Sequence, residues 1–381
     1  MITWRAGVVE QVGTSWPGAV ELTVALDNPW SDPSLPARVK ALAYPRLVGD
    51  LAVGRRVLLN VSALSRGLGT GGYALVVAPG DGVPADPPPT VGHLVKARYT
   101  PLQAMVLGVD DQESEHHDVM RDADDLDGMP VVVADLHSAL PAILVGARLE
   151  AARSGRPVPR VVYVMTDGGA LPAWFSRAAA GLRAAGWLDA VVTAGQAFGG
   201  DLEAVSVHTA LLAARHVLDA DLAVVVQGPG NLGTGTRWGF SGVAAGEAVN
   251  AAAVLGGRPV ASLRVSGADP RERHLGISHH SLTTYGRVAL LPADVVVPLF
   301  DPDDAELTAL GTRVRTQAAA LVEPHGRHRL VETPVGADVR TALGASPVRL
   351  STMGRGLDQD AAAFLTAAAS GIHGAALLHA R

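Results

Sequence analysis

The stretch "SGADPRERHLGISHHS" (residues 266–281) sets His274, His279 and His280 within seven positions, close to Asp269, Arg271 and Arg273. Histidine titrates near neutrality, so it can take or give a proton, and its neutral ring nitrogen can bind a divalent metal. The same residue types recur in "DLHS" (135–138), "TDGG" (166–169) and "GQAFGGD" (195–201). Acid–base chemistry by Asp135, His137, Asp167, Asp201, His279 and His280 is therefore expected. Metal binding by His and Asp stays open beside it. H-E-x-x-H is absent and the spacing matches no named metal signature, so no ion is assigned. The plainer role for these residues is helix capping and local hydrogen bonding. Ser138 in "LHSAL" lacks the glycines of the G-x-S-x-G nucleophile elbow.

A second group of residues could hold an anion. In "GPGNLGTGTR" (228–237), Gly228, Gly230 and Gly233 fit G-x-G-x-x-G after an apolar run and before a helical pattern. That arrangement lets backbone N–H groups and a helix N-terminus cradle a pyrophosphate. Thr234, Gly235, Thr236 and Arg237 continue the loop and join the ligand-binding candidates. No acid follows at the usual ~20-residue distance, and Arg264, at the end of the next strand, suits a 2′-phosphate. The other phosphate loop, G-x-x-x-x-G-K-[ST], fails because Thr234 stands where it needs lysine. A nucleotide, a carboxylate-bearing ligand and a purely structural turn all remain open. Arg271, Arg273 and Arg355 are further anion-holding candidates, because guanidinium forks match phosphate and carboxylate.

These residues share a position in the expected fold. The segments "PVVVADL", "RVVYVM", "DAVVTA", "DLAVVVQ", "RPVASLRV" and "ADVVVPL" read as buried strands, preceded by "AMVLGV" and separated by Ala- and Leu-rich helical patterns. The expectation is an α/β, Rossmann-like, doubly wound and largely parallel sheet over residues 93–381. The reactive residues fall at strand-to-helix junctions, which line the carboxyl edge where such sheets bind ligands. The last helical segment, "DQDAAAFLTAAASGIHGAALL", is expected to pack on this sheet. Residues 1–78 read instead as five short strands and predict a small β-barrel. The proline- and glycine-rich segment 79–92 reads as a linker. The acidic run 110–128 is a solvated loop by default, with a lid role left open.

Composition removes several function classes. There is no cysteine, which excludes Cys-ligated zinc and Fe–S clusters, and Lys40 and Lys96 are the only lysines, which excludes a PLP Schiff base in the α/β domain. Nucleotide and divalent-metal cofactors stay open. A net charge of −6 makes nucleic acid an unlikely partner. The barrel's seven basic residues against five acids, with Trp4, Trp16, Trp30, Tyr44 and Tyr73, leave single-stranded nucleic acid a distant third choice. No run reaches the roughly 18 apolar residues of a membrane helix, and "MITWRAGVVEQV" lacks a basic n-region. A cytoplasmic protein without a membrane partner is expected, and a homo-oligomer is left open.

The stretches "LLNVSALSRGLGTGGYALVVA", "TDGGALPA", "AFGGDLEAV", "GPGNLGTGTRWGFSG" and "ADPRERHLGISHHSLTTYGRVAL" resemble a protein family of unknown function found chiefly in Gram-positive bacteria. The resemblance spans nearly the whole chain and implies a cytoplasmic bacterial protein with this two-part layout. It carries over no activity, substrate or catalytic residue. The residues themselves favour a soluble enzyme acting on a small anionic ligand, phosphorylated or nucleotide-like, in a cleft at the sheet's carboxyl edge. A non-catalytic ligand-sensing or assembly module is the alternative.

Overall fold

Largely alternating inward and outward residues close the first eighty residues into a barrel. In the computed structural model, which describes residues 1–28, 30, 36–68, 71–88, 90–322 and 326–379, its strands are β1 (Trp4–Trp16), β2 (Ala19–Leu26), β3 (Arg38–Ala43), β4 (Arg56–Asn60) and β5 (Ala74–Pro79). Their order is β1-β2-β3-β5-β4, and β4 pairs back to β1. The short helix α1 (Pro45–Val48) lies between β3 and β4. Val9, Leu22, Val24, Val57, Leu59 and Val76 fill the interior. A Cβ on Gly7 would collide with the Ala25 carbonyl, so glycine is what lets β1 lie this close to β2. Trp30 and Tyr44, two of the expected aromatics, are buried.

The chain divides into two compact units, residues 1–91 with 95–106, and residues 92–94 with 107–381. Residues 80–88 and 90–93 form no helix or strand. The expected strand "AMVLGV" departs from the reading: β6 (Leu94–Lys96) pairs only with β7 (Ala104–Val106), and Met105 is exposed. Gly108 alone bridges to Glu203, at the edge of the main sheet.

That sheet is built from alternating elements. In chain order they are α2 (His117–Asp122), β8 (Pro130–Val133), α3 (Leu140–Arg153), β9 (Val161–Thr166), α4 (Arg177–Ala184), β10 (Ala190–Thr193), β11 (Leu202–Glu203), α5 (Val207–His216), β12 (Leu222–Gln227), α6 (Ala244–Val254) and β13 (Arg258–Ser262). An antiparallel pair, β14 (Val265–Ser266) and β15 (Gly276–Ile277), precedes α7 (His279–Thr283), β16 (Asp294–Phe300), α8 (Ala305–Val322), β17 (Arg329–Val335), α9 (Ala337–Gly344) and α10 (Ala361–Leu377). The sheet is all-parallel, in the order β11-β10-β9-β12-β8-β13-β16-β17. This is the expected Rossmann-like α/β architecture. From β8 the chain works out to β11, returns as β12 between β9 and β8, and then crosses to β13. The topological switch therefore falls around β8, where the loops after β8, β9, β12 and β13 meet. No helix of the described residues is long and apolar enough to cross a membrane.

One face of the sheet is covered by α3, α9 and α10. The helices α3 and α10 meet backbone to backbone: a Cβ on Gly146 would collide with the Ala368 carbonyl, and one on Gly371 with the Ile143 carbonyl. At the start of β16, Asp294 accepts a guanidinium fork from Arg329 at 2.7 and 2.6 Å and lies 2.7 Å from His373 Nε2 of α10. Burial works against the Asp294 charge, yet the hydrogen bonds of His373 and Arg329 hold its carboxyl down to about 2.

Gly371→Ala should force the two helices apart and cost about 3 kcal/mol, the upper range for overpacking, measured by urea unfolding. Asp294→Asn should cost about 1–3 kcal/mol, the worth of charged hydrogen bonds. Because its folded value lies below the ordinary 3.8, that stabilisation is complete above pH 4 and disappears as pH falls toward 2. The variant should lose this part of the acid dependence in pH-jump unfolding.

Candidate functional site

The junctions after β8 and β12 are joined by one side chain. Gln227, at the end of β12, donates from Nε2 to the Asp135 carbonyl at 2.8 Å and to Asn231 Oδ1 at 2.9 Å. Asn231 Oδ1 also accepts from Ser241 Oγ at 2.8 Å and from the Gly242 amide at 3.2 Å, in the turn that leads into α6. An amide oxygen thus sits where the fingerprint reading places a phosphate oxygen. Gly228 serves close packing, since a Cβ there would collide with the Ala170 carbonyl. Gly230 has φ +94° and starts an exposed lasso that closes where Gly233 bridges Phe240. Within it, Thr234 N donates to the Gly239 carbonyl at 2.8 Å, and Thr234 Oγ1 lies 3.2 Å from Thr236 Oγ1. Gly235, at φ +82°, lies against Arg273, and the lasso carries Arg237 and Trp238 into solvent.

The loop after β13 supplies the histidines. Ser278 organises it: its Oγ accepts from His280 N at 3.2 Å and lies 2.8 Å from His274 Nδ1. The buried Tyr285 hydroxyl sits 2.9 Å from the Val133 carbonyl and 3.1 Å from that of Ser262, pinning the segment behind α7 to β8 and β13. His280 stacks on Phe240 with rings 3.9 Å apart and parallel within 1°. Arg264 Nη1 is 3.2 Å from His280 Nδ1, and Asp135 Oδ2 is 4.0 Å from the same nitrogen. Burial, then the charge of Arg264, pushes His274 down to about 4 and His280 down to about 3. His279 is lowered by burial and then by Arg273. His274 and His280 are therefore neutral at pH 7. Burial raises the Asp135 carboxyl and Arg264 opposes that rise. Asp135 Oδ2 and His279 Nε2 are buried without a hydrogen-bond partner.

Two of the expected anion holders are engaged elsewhere. Arg271 makes a fork to Asp269 at 2.9 Å through both Nε and Nη2. The hydrogen bonds of Arg271 hold the Asp269 carboxyl well below its usual range, against burial. Arg355 reaches Asp269 at 3.3 Å and Asp360 at 3.0 Å. This network closes a cavity of about 30 Å³, lined by Asp135, Ser138, Arg264 and Arg355 among others. The size suits a water molecule or two.

Beyond His279 the surface opens into a groove of about 840 Å³. Its walls include Arg237, Arg273, Arg287, Arg327, Trp238 and His279, and no carboxylate among the described residues. Arg327 donates to the Ala289 carbonyl at 2.9 Å. Arg237, Arg273 and Arg287 form no ion pair with a described residue. The groove starts at the carboxyl-edge loops and continues down the flank of the sheet to the end of α8, further than a junction cleft alone would reach.

The other expected residues lie apart from this cluster. His137 lies 3.1 Å from Tyr163 Oη through Nδ1 and 2.7 Å from Ser176 Oγ through Nε2, on the α3 side of the sheet. Asp167 Oδ2 accepts from the Gln196 amide at 2.8 Å and holds the turn at Gly195. Asp201 accepts from the Val191 amide at 2.7 Å and from Arg183 at 3.0 Å. Segment 110–128 runs past α5 toward the amino end of β8, where Leu126 N donates to the Leu255 carbonyl and Arg215 pairs with Asp127.

A family model described as a protein of unknown function, DUF3866, matches residues 40–371, from within β3 to within α10. The chain belongs to the DUF3866 family. No curated protein and no solved structure matches it. The stretches that carried the resemblance, including the lasso and the histidine loop of this DUF3866 chain, all lie inside the matched residues.

Replacing His137 by Phe should remove its hydrogen bonds to Ser176 and Tyr163, leaving only the one Tyr163 donates to the Gln227 carbonyl and the one Ser176 accepts from the Ala179 amide, and cost about 1–3 kcal/mol in thermal or urea unfolding. Since His137 is remote from the groove, anion binding measured by calorimetry should be unchanged in the same variant.

Proposed function

We propose that the second unit is an enzyme that binds a small phosphate-bearing ligand in the arginine-lined groove and acts on it with His279. The observation that carries this reading is the set of four guanidinium groups around one concavity without a carboxylate among its described lining. Like charges gathered around a pocket repel each other, and a multiply charged anion relieves that repulsion through charge-assisted hydrogen bonds. The groove's volume falls in the range of small-molecule sites, and the exposed Trp238 ring offers a face for a base or other planar group. His279 lies on the groove wall, which places it beside a bound ligand. The glycine lasso then works by presentation: it carries Arg237 and Trp238 to the groove. We place this activity in the bacterial cytoplasm, following the resemblance to a family found chiefly in Gram-positive bacteria.

The test is calorimetric titration with inorganic pyrophosphate and with ATP. Arg237→Ala and Arg273→Ala should each weaken binding about 10-fold, the worth of one charge-assisted contact, and added salt should weaken it further. Equal affinity in the double variant overturns the proposal. Phosphate release by the wild type, tested on a panel of phosphate esters, should fall about 100-fold or more in His279→Ala while binding persists. Binding with no turnover of any ester would select the ligand-sensing alternative.

A further inference from the structure

Hydrogen bonding alone does not account for how the loop after β13 gathers its three imidazoles. One ring nitrogen from each of His274, His279 and His280 lies within 4.8 Å of the other two. His274 uses Nδ1 on Ser278 Oγ, and His280 turns Nδ1 toward Arg264. That leaves Nε2 on each of these two rings. On His279, Nε2 is the buried atom that has no partner. A buried ring nitrogen without a partner is costly, and two further imidazoles offering a nitrogen to the same space call for a common ligand.

We infer that His274, His279 and His280 form a binding site for one zinc-class divalent cation, with an open coordination position toward the arginine-lined groove. Three imidazoles select borderline first-row ions such as Zn²⁺ over Mg²⁺ or Ca²⁺, which prefer oxygen. Bonds of about 2.0–2.1 Å would draw the three nitrogens to about 3.4 Å from one another, so the rings close inward on the ion.

The surroundings supply the outer shell that such a site needs. A histidine that binds metal through Nε2 carries its proton on Nδ1 and donates it to a carboxylate, carbonyl or hydroxyl. For His280 that acceptor is Asp135, whose Oδ2 is buried, lacks a partner and lies 4.0 Å away. Arg264 gives up its contact with His280 Nδ1 and faces the same carboxylate. For His274 the acceptor is Ser278 Oγ, already at 2.8 Å. Of the nearby cations, Arg264 faces Asp135, Arg271 is paired with Asp269 and Arg355 reaches Asp360, while Arg273 beside His279 stays open to an anion in the groove. His279 lines both the cluster and the groove, so the open position faces the place where a phosphate oxygen would lie. This inference deepens the reading of the groove and rests on it only for what meets the open position, not for whether the ion binds.

The experiment uses the full chain, stripped with chelator and titrated with Zn²⁺ alone and Co²⁺ alone, without phosphate. One ion per chain is expected, with Co²⁺ giving the intense visible absorption of a low-coordinate site. Loss of a ligand in His279→Ala should weaken Zn²⁺ binding by at least about 100-fold, and loss of the outer-shell partner in Asp135→Asn by about 10–100-fold. His279 is half-buried, so its variants are the decisive ones, with thermal melting of the apo proteins as the check on folding. His279→Cys should restore binding and add a sulfur-to-metal charge-transfer band to the Co²⁺ spectrum. Folded wild type that binds no stoichiometric ion, or unchanged affinity in His279→Ala, overturns the site. Pyrophosphate titration of the metal-free protein separates the two readings. Anion binding without ion binding removes the metal site and keeps the groove, and ion binding without anion binding does the reverse.

Discussion

The carboxamide of Gln227 is the joint on which the carboxyl edge of the sheet depends. Its nitrogen holds the backbone after β8 and, through Asn231, the turn that starts α6. Both bonds come from one atom at the end of a central strand, so the two loops take their positions from the sheet itself. The lasso rooted between them can then be long and exposed at its tip while its base stays fixed. Phe240, at the end of that lasso, carries the fixed geometry onward by stacking on His280. The path from β12 to the histidines therefore runs through two amide side chains and one ring.

The barrel and most of the parallel sheet were legible because burial imposes simple patterns. Period-two alternation marked all five barrel strands, and unbroken valine runs marked the strands buried on both faces. Where burial is partial, the pattern fades. The strand β17 sits at the sheet's edge as "RLVETPV", with Arg329 and Glu332 exposed and Pro334 interrupting it, and the sequence reading missed it. The opposite error occurred at "AMVLGV", where an apolar run looked like a buried strand although Met105 is 63% exposed. Hydrophobicity there reports composition without enclosure.

Candidate-site residues were found by their place at strand-to-helix junctions, and that rule has a physical limit. It collects every polar residue at the carboxyl edge, whether it faces a cleft or ties down its own loop. His137, Asp167 and Asp201 are of the second kind, each satisfied by nearby groups. The same rule passes over residues that reach a groove from other directions. Arg287 follows α7 and Arg327 precedes β17, on helix-to-strand connections that the rule does not collect. Asn231 was hidden inside the glycine motif, where attention falls on the residues that lack side chains. Only three-dimensional closure brings these arginines beside His279.

The contact of α10 with α3 bears on how the second unit comes to be folded. Residues 361–377 cover strands that begin at residue 130, across the middle of the sheet, and the glycines at 146 and 371 seat them against a helix formed more than two hundred residues earlier. Until that last helix is made, the part of the valine-rich face that α10 covers has nothing to lie against. Contacts this distant in sequence are reached slowly, because a long loop must close before any burial rewards it. During synthesis the nascent sheet is therefore a hydrophobic surface in waiting, and it is a natural client for whatever shields unfinished chains from one another.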